Sequence, residues 1–326
     1  MKKVFVVLGL IYCLMPLYAG GTKENNRVII YTSTEDFRTE HMQKLLKDKF
    51  PSYDIIIQVL STGNHAAKIK TEGTSSEADI ILNLETGYLE SVKDMLADLS
   101  SFDTSDFLPE LVPSHYKYLP WDKSSGVIAV SREKLESLRI SAPASYDDLL
   151  KPEYKGLLSM PNPKSSATGY MFVMSMVNSR GEEEAFNYFD NFSKNVLQFT
   201  SSGSGPVNAL LQGEAAIGLG MTITATAAIN NRKANLDLLF FKEGAPYNTS
   251  GMGIIKGKEN RPVVREVFEF IIDKVVRDDN TLFCPEAIFR DTTITVPNYP
   301  KNIPYADMKG MTDLATKERV LAKWKY

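Results

Sequence analysis

Residues 161–169 of the chain read Pro-Asn-Pro-Lys-Ser-Ser-Ala-Thr-Gly and lead directly into the apolar run Tyr170–Val177. The two prolines fix the entry to this run, whose composition predicts a helix. The first N–H groups of a helix have no backbone partners and carry a partial positive charge. Hydroxyl side chains at such a position either cap the helix or leave the donors free for an anion. Ser165, Ser166 and Thr168 are therefore candidate anion ligands, with an ordinary N-cap as the alternative.

A second turn has the same chemistry. Residues Thr200–Pro206 read Thr-Ser-Ser-Gly-Ser-Gly-Pro and precede another helix-like run, Val207–Gln212. Ser202 and Ser204 join the candidate ligands for the same reason. Two turns of this kind in one chain favour a shared anion site and suggest a protein that holds a small negatively charged molecule.

The N-terminus is typical of an export signal over residues 1–20. A basic start precedes the apolar run Val4–Leu17, which is shorter than the roughly 20 residues of a membrane span. Ala19 offers a small residue for cleavage, whereas Cys13 lies in a sequence that resembles a lipoprotein box. We expect either cleavage near Ala19 or a lipid anchor on Cys13. Both outcomes place the mature protein in the periplasm or elsewhere outside the cytoplasmic membrane.

Composition excludes several functional classes. The net charge of −3 over 326 residues disfavours a nucleic-acid partner. After the signal only Cys284 remains, so the fold rests on its core rather than on a disulfide. With three histidines and no zinc spacing, phosphate loop or nucleophile elbow, we expect no metal site and no cofactor. No nucleophile has a base at recognisable spacing, so we expect no enzyme activity.

Strands alternate with helices in the first hundred residues. Strands are predicted at Val28–Tyr31, Ile55–Leu60 and Ala78–Leu82, and helices at Glu35–Phe50, His65–Glu72 and Tyr88–Leu96. This order predicts an α/β fold with a parallel sheet, in which ligands lie beyond the carboxyl ends of the strands. The candidate ligands at those ends are Ser33, Thr34, Glu35, Thr62 and Glu85.

The second part of the chain continues in the same way. Strands are predicted at Gly126–Val130, Ala215–Leu219, Leu236–Phe241 and Gly251–Ile255, and helices at Glu182–Asn191, Ala225–Ile229 and Val263–Val276. A turn is predicted over Asp122–Ser125, before the first of these strands. The C-terminal tail is polar and rich in proline, so it is predicted to be irregular.

Motifs spread over nearly the whole mature chain point to a known family. They lie at residues 31–36, 61–63, 78–80, 150–156, 160–163, 165–169, 202–204, 213–218 and 242–244. Through them the chain resembles the solute-binding proteins of bacterial ABC transporters, in the branch that binds ferric iron or 2-aminoethylphosphonate. Residues 151–169 are the most specific part of the resemblance.

The resemblance implies a type 2 periplasmic-binding-protein fold. In such a fold two α/β lobes, each a mixed sheet flanked by helices, are joined by two hinge strands and close over the ligand. The implied division is a signal at 1–20, lobe 1 at 21–125, lobe 2 at 126–250, and a return to lobe 1 with the C-terminal tail at 251–326. The implied partners are a small anionic ligand and the permease subunits of an importer, and a monomer suits such docking.

The resemblance leaves two ligand classes open. Ferric members place adjacent tyrosines where this chain has Met221-Thr222-Ile223-Thr224, which argues against iron binding of the usual type. A phosphate or phosphonate fits better, since hydroxyls and backbone N–H groups match its oxygens. Thr222 is then a further candidate ligand, and Glu35 and Glu85 are candidates for an ammonium or for sugar hydroxyls. Ferric iron, with a synergistic anion, remains the alternative.

Overall fold

The computed structural model of the protein describes residues 26–326. The predicted export signal and Cys13 lie outside these residues. The fold contains nine strands: β1 (Arg27–Thr32), β2 (Asp54–Val59), β3 (Ile80–Glu85), β4 (Leu119–Ser131), β5 (Leu158–Pro161), β6 (Val196–Thr200), β7 (Ile217–Met221), β8 (Leu236–Leu239) and β9 (Tyr247–Ile254). They pair in the order β2-β1-β3-β9-β4-β7-β5-β6, and β8 pairs with β4.

Eleven α-helices surround these strands in the described part of the chain. They are α1 (Asp36–Lys49), α2 (Thr62–Glu72), α3 (Thr86–Val92), α4 (Arg132–Leu138), α5 (Ala167–Arg180), α6 (Glu182–Phe192), α7 (Gly205–Leu211), α8 (Thr222–Arg232), α9 (Pro262–Phe270), α10 (Val276–Leu282) and α11 (Leu314–Lys323). A π-helical turn, Ile271–Val275, joins α9 to α10. No helix within residues 26–326 is long and apolar enough to cross a membrane.

The first half of the fold is built as the alternation predicted. Strand β1 pairs in parallel with β2 and with β3, and the connecting helices cover the sheet. Side chains alternate along β1, so Val28 and Ile30 join one core while Tyr31 joins the core on the opposite face. The predicted α/β class is confirmed.

Strand β4 belongs to both halves. Its first part, from Leu119 to Ser125, pairs antiparallel with β9, and its second part, from Gly126 onward, pairs with β7 and β8. The predicted turn over Asp122–Ser125 is therefore wrong. These polar residues resemble a turn, but they are buried and take their partners from distant segments: Asp122 accepts hydrogen bonds from Arg38 and Ser250.

The second half is centred on helix α5, which is apolar on all sides. A helix of this kind is buried all round, and residues from Ala167 to Met176 are all buried. Phe172 and Met174 pack there with Phe189 and Phe192 of α6.

The C-terminal tail is irregular between α10 and α11, as predicted, but it ends in helix α11, which the sequence did not predict. Asp313 caps its start by accepting a hydrogen bond from the backbone N–H of Thr316 at 2.8 Å. Val320 and Trp324 then pack into the core around α5 and α6, with Trp324 against Phe189. The C-terminal segment is therefore anchored on the second half of the fold.

Candidate functional site

A cavity of about 790 Å³ lies between the two halves. One wall comes from the ends of β1, β2 and β3 and the starts of α1 and α2. The facing wall comes from the turn before α5, the turn before α7 and part of α8. Strands β4 and β9 form the floor where they cross between the halves, through residues that include Ser124 and Asn248.

Ten of the eleven candidate ligands line this cavity. They are Ser33, Thr34, Glu35, Thr62, Glu85, Ser165, Ser166, Thr168, Ser202 and Ser204. Thr222 does not line it, because its side chain is fully buried and its Oγ1 lies 2.8 Å from Oγ of Ser125. Its neighbours Met221 and Thr224 reach the cavity instead.

Three helices that begin at the cavity, α1, α2 and α5, lack side-chain caps. No side chain accepts a hydrogen bond at the start of α1, α2 or α5, although Ser61 and Ser166 stand at the cap positions of the latter two. Away from the cavity, by contrast, Ser131 caps α4 and Asp313 caps α11. Ser166 is therefore not an ordinary N-cap, and the first donors of α5 stay available at the cavity wall.

Two hydroxyl groups at the end of β1 are held in place. The Ser33 hydroxyl lies 2.9 Å from Nδ1 of His65, a fully buried side chain. Burial lowers the pKa of His65 from 6.5 to about 3, so this ring is neutral at physiological pH. The Thr34 hydroxyl lies 2.6 Å from that of Thr32, whose oxygen also accepts the Thr34 N–H.

We call the hydroxyl-bearing lining of Ser33, Thr34, Thr62, Ser165, Ser166 and Thr168 the hydroxyl wall. Gly169 lets it form, since a Cβ there would lie 2.4 Å from the carbonyl oxygen of Pro161. The wall joins the two halves of the fold: the N–H of Gly63 donates to the carbonyl of Ser165 at 3.2 Å. A Cβ on Gly63 would lie 2.8 Å from the carbonyl oxygen of Lys164.

Glu35 is already engaged within the protein. Its carboxylate accepts a hydrogen bond from Arg38 at 3.0 Å, and the same buried guanidinium binds Asp122 and Asp279. Burial raises the pKa of Glu35, and Arg38 partly offsets the rise. Glu35 lines the cavity, but its principal partner is Arg38 in the first turn of α1, the helix that follows Glu35.

Glu85 is engaged as well. One carboxylate oxygen accepts the N–H of Gly87 at 3.0 Å, at the start of α3, and the other forms an ion pair with Lys317 of α11. No sequence pattern indicates a role for Lys317, because it lies 232 positions from Glu85 in a segment predicted to be irregular.

The described lining of the cavity contains no tyrosine, histidine or cysteine. Tyr170 is fully buried beside Lys317, and Tyr247 packs against Lys123, so neither phenol group lines the cavity. Within residues 26–326, no three His, Cys, Asp or Glu side chains are grouped so as to hold a metal ion. The only basic side chain on the described lining is that of Arg232, which is exposed.

Comparison with known proteins identifies the family. The model of the family described as bacterial extracellular solute-binding protein matches residues 78–284, more than half of the chain. The chain belongs to this family. It is therefore a binding protein rather than an enzyme, of the kind that supplies ABC importers, and its family indicates a location outside the cytoplasm.

One relative and two solved structures are similar to this chain. An uncharacterized protein from Haemophilus influenzae is 28% identical over 256 residues, which cover 74% of this chain and 71% of the relative. The periplasmic binding protein AfuA from Actinobacillus pleuropneumoniae, solved with fructose-6-phosphate, has a TM-score of 0.80 at 22% identity, covering 91% of this chain and 97% of AfuA. Apo ferric ion-binding protein A from Pasteurella haemolytica has a TM-score of 0.72 at 18% identity, covering 91% and 96%. The predicted two-lobed fold is confirmed.

Proposed function

We propose that this solute-binding protein captures a small ligand with a phosphate or phosphonate group and delivers it to the permease of an ABC importer. The observation that carries the proposal is the hydroxyl wall, which includes the uncapped start of α5. Phosphate oxygens accept several hydrogen bonds at once, and hydroxyls with backbone N–H groups supply them without an arginine.

The donors come from both halves of the fold. Ser33 and Thr62 extend from the first half, whereas Thr168 and the first N–H groups of α5 extend from the second. An anion held between them adds contacts that exist only when the halves lie together. It would therefore favour the closed arrangement by its differential affinity for that state.

The floor of the cavity suits a polar, uncharged portion of the ligand. Asn248 lies on this floor, where its side-chain oxygen accepts from Ser124 at 3.1 Å, and Asn83 lines the adjoining wall at the end of β3. Asn83 adopts a left-handed backbone with φ of 52°, at an irregularity in β3. Backbone strain of this kind is concentrated at functional sites. Amides and hydroxyls match sugar hydroxyls, and the similar protein AfuA was solved with fructose-6-phosphate.

We also propose the lobe boundaries given by the sequence, with lobe 1 at 21–125, lobe 2 at 126–250 and a return to lobe 1 after 251. The pairing of β4 with different strands on either side of Ser125 and Gly126 supports the first boundary. We depart from these boundaries only for α11, because its packing against the core of the second half supports placing this helix on lobe 2. We expect a monomer that docks on its permease.

Calorimetric titration of residues 26–326 with fructose 6-phosphate, fructose, 2-aminoethylphosphonate and ferric citrate tests the proposal. We expect a phosphate- or phosphonate-bearing probe to bind and to raise the melting temperature, and fructose to bind far more weakly. Binding of ferric citrate alone would overturn the proposal and favour the ferric alternative.

A further inference from the structure

Glu85 places a carboxylate on the wall of the cavity. The residue ends β3, its side chain is only 2% exposed, and it lines the cavity that we assign to an anionic ligand. A buried charge is screened far less than an exposed one. An anion that enters the cavity would therefore be repelled by Glu85 unless this carboxylate is neutralised.

Lys317 supplies the opposite charge. It is 2% exposed, and its ammonium forms an ion pair with the carboxylate of Glu85. The ammonium also lies 3.6 Å from the centroid of the Tyr88 ring and 4.5 Å from that of Tyr170. Two aromatic rings and one carboxylate hold the charge in a single position.

This position lies where the two halves of the fold meet. Tyr88 belongs to α3 and Glu85 to β3, both in the first half, whereas Tyr170 belongs to α5 in the second. Lys317 reaches them from α11, which is anchored on the second half through Val320. The charge of the cavity wall is thus balanced by a residue from the far end of the chain.

We infer that Lys317 permits anion binding in the cavity by cancelling the charge of Glu85. The inference rests on the proposed function and adds a specificity determinant to it. Because Lys317 acts through Glu85 and is not among the lining residues, it is a positioning residue. Of the remaining lining acids, Glu35 shares Arg38 with Asp122 and Asp279, and Asp36 and Glu40 are exposed.

The test compares the affinity of four proteins for fructose 6-phosphate by calorimetry, using residues 26–326 throughout. Lys317→Met leaves one buried negative charge on the wall, and Glu85→Gln leaves one positive charge. The double variant Glu85→Gln/Lys317→Met leaves none. Lys323→Met is the matched control, since Lys323 lies on the same helix with 53% of its side chain exposed.

We expect Lys317→Met to weaken binding about tenfold or more. The double variant should recover most of the affinity that Lys317→Met loses, and Glu85→Gln should bind more tightly than Lys317→Met. Lys323→Met should bind within about threefold of the unaltered protein. Unchanged affinity in Lys317→Met would overturn the inference. So would a double variant as weak as Lys317→Met, because the defect would then lie in shape rather than charge. If the unaltered protein binds no phosphate-bearing probe, the proposed function itself fails, and the inference fails with it.

Discussion

Individual hydroxyl groups, more than charged side chains, define the wall that we assign to the anion. Thr168 shows this most simply: it stands in the first turn of α5, its side chain lines the cavity, and it is 5% exposed. Ser33 adds a hydroxyl whose orientation is set by a neutral imidazole. Hydrogen bonds to a charged acceptor are stronger than those between neutral groups. A few hydroxyls can therefore hold a phosphate.

Replacing Thr168 with Val removes the hydroxyl and keeps the shape. A lost hydrogen bond to a charged group costs about 1.5–3 kcal/mol, so we expect phosphate-ester affinity to fall roughly tenfold to a hundredfold by calorimetry. Thr226→Val is the control, because this buried hydroxyl has no partner among the described residues and does not line the cavity. Equal affinity in both variants would remove Thr168 from the site.

His65 predicts a dependence of stability on pH. Burial lowers its pKa from 6.5 to about 3, so between these pH values His65 is protonated in the unfolded chain and neutral in the folded protein. The stability contributed by the neutral ring is complete above pH 6.5. It is lost as the pH falls from about 6.5 to about 3, by about 1.4 kcal/mol per pH unit. Urea unfolding measured between pH 4.5 and 7 should show that the free energy of unfolding changes less steeply with pH in His65→Asn than in the unaltered protein. Identical dependence on pH in the two proteins would contradict this account.

At the scale of elements, the start of α2 and the turn before α5 approach each other closely. The approach depends on Gly63, where an added Cβ would lie 2.8 Å from the carbonyl oxygen of Lys164. This contact joins the two halves, so we expect it to be lost if the halves move apart. The same helix carries Asn64, an exposed neighbour that suits a control.

Gly63→Ala should therefore hinder closure without weakening either half. Forcing one extra carbon into a tight contact costs about 1–3 kcal/mol, which corresponds to roughly a fivefold to hundredfold loss of phosphate-ester affinity. The unfolding midpoint without ligand should not fall, since Ala is a better helix former than Gly. If calorimetry shows Gly63→Ala binding as tightly as Asn64→Ala, the contact plays no part in binding.

Elements with a clear period were predicted from the sequence, and those that depend on distant partners were not. The alternation around β1, α1 and β2 predicts the α/β fold because each segment carries its own apolar pattern. The first part of β4 reads as a turn because Asp122 and Ser125 are polar, yet Arg38 and Glu286 satisfy them from far away in the chain. No local pattern contains that information.

Some residues of the candidate site could likewise be recognised from the sequence, and others could not. Hydroxyls beside helix starts can be recognised locally, and the structure brings ten of the eleven candidates to one cavity. Thr222, the first residue of α8, does not line the cavity, because its hydroxyl lies against that of Ser125. The ion pair between Glu85 and Lys317 depends on α11. This helix is held in place by Val320 and Trp324, which pack into the core of the second half.

Trp324→Ala tests whether the C-terminal segment with α11 is part of the core. The indole is 2% exposed and packs against Phe189 and Phe199. Truncating a buried tryptophan costs about 3–5 kcal/mol, so the free energy of unfolding in urea should fall by that amount. A loss below about 1 kcal/mol would show that α11 is not part of the core.

At the scale of the whole molecule, two halves share β4 and β9 and enclose one polar cavity. Glu286 holds the crossing point: its carboxylate accepts hydrogen bonds from the Ser125 N–H and hydroxyl and from Tyr299 and Tyr305. Burial raises the pKa of Glu286, and these four donors offset part of that rise. The C-terminal segment thereby secures the strand about which the halves would move.

Native mass spectrometry of the purified protein, before and after unfolding and refolding, tests the central claim most directly. We predict a small bound mass that is lost on refolding and whose fragments contain a phosphate or phosphonate group. A bound iron mass without any phosphorus-containing companion would contradict the account, because the hydroxyl wall would then serve a metal complex rather than an organic anion.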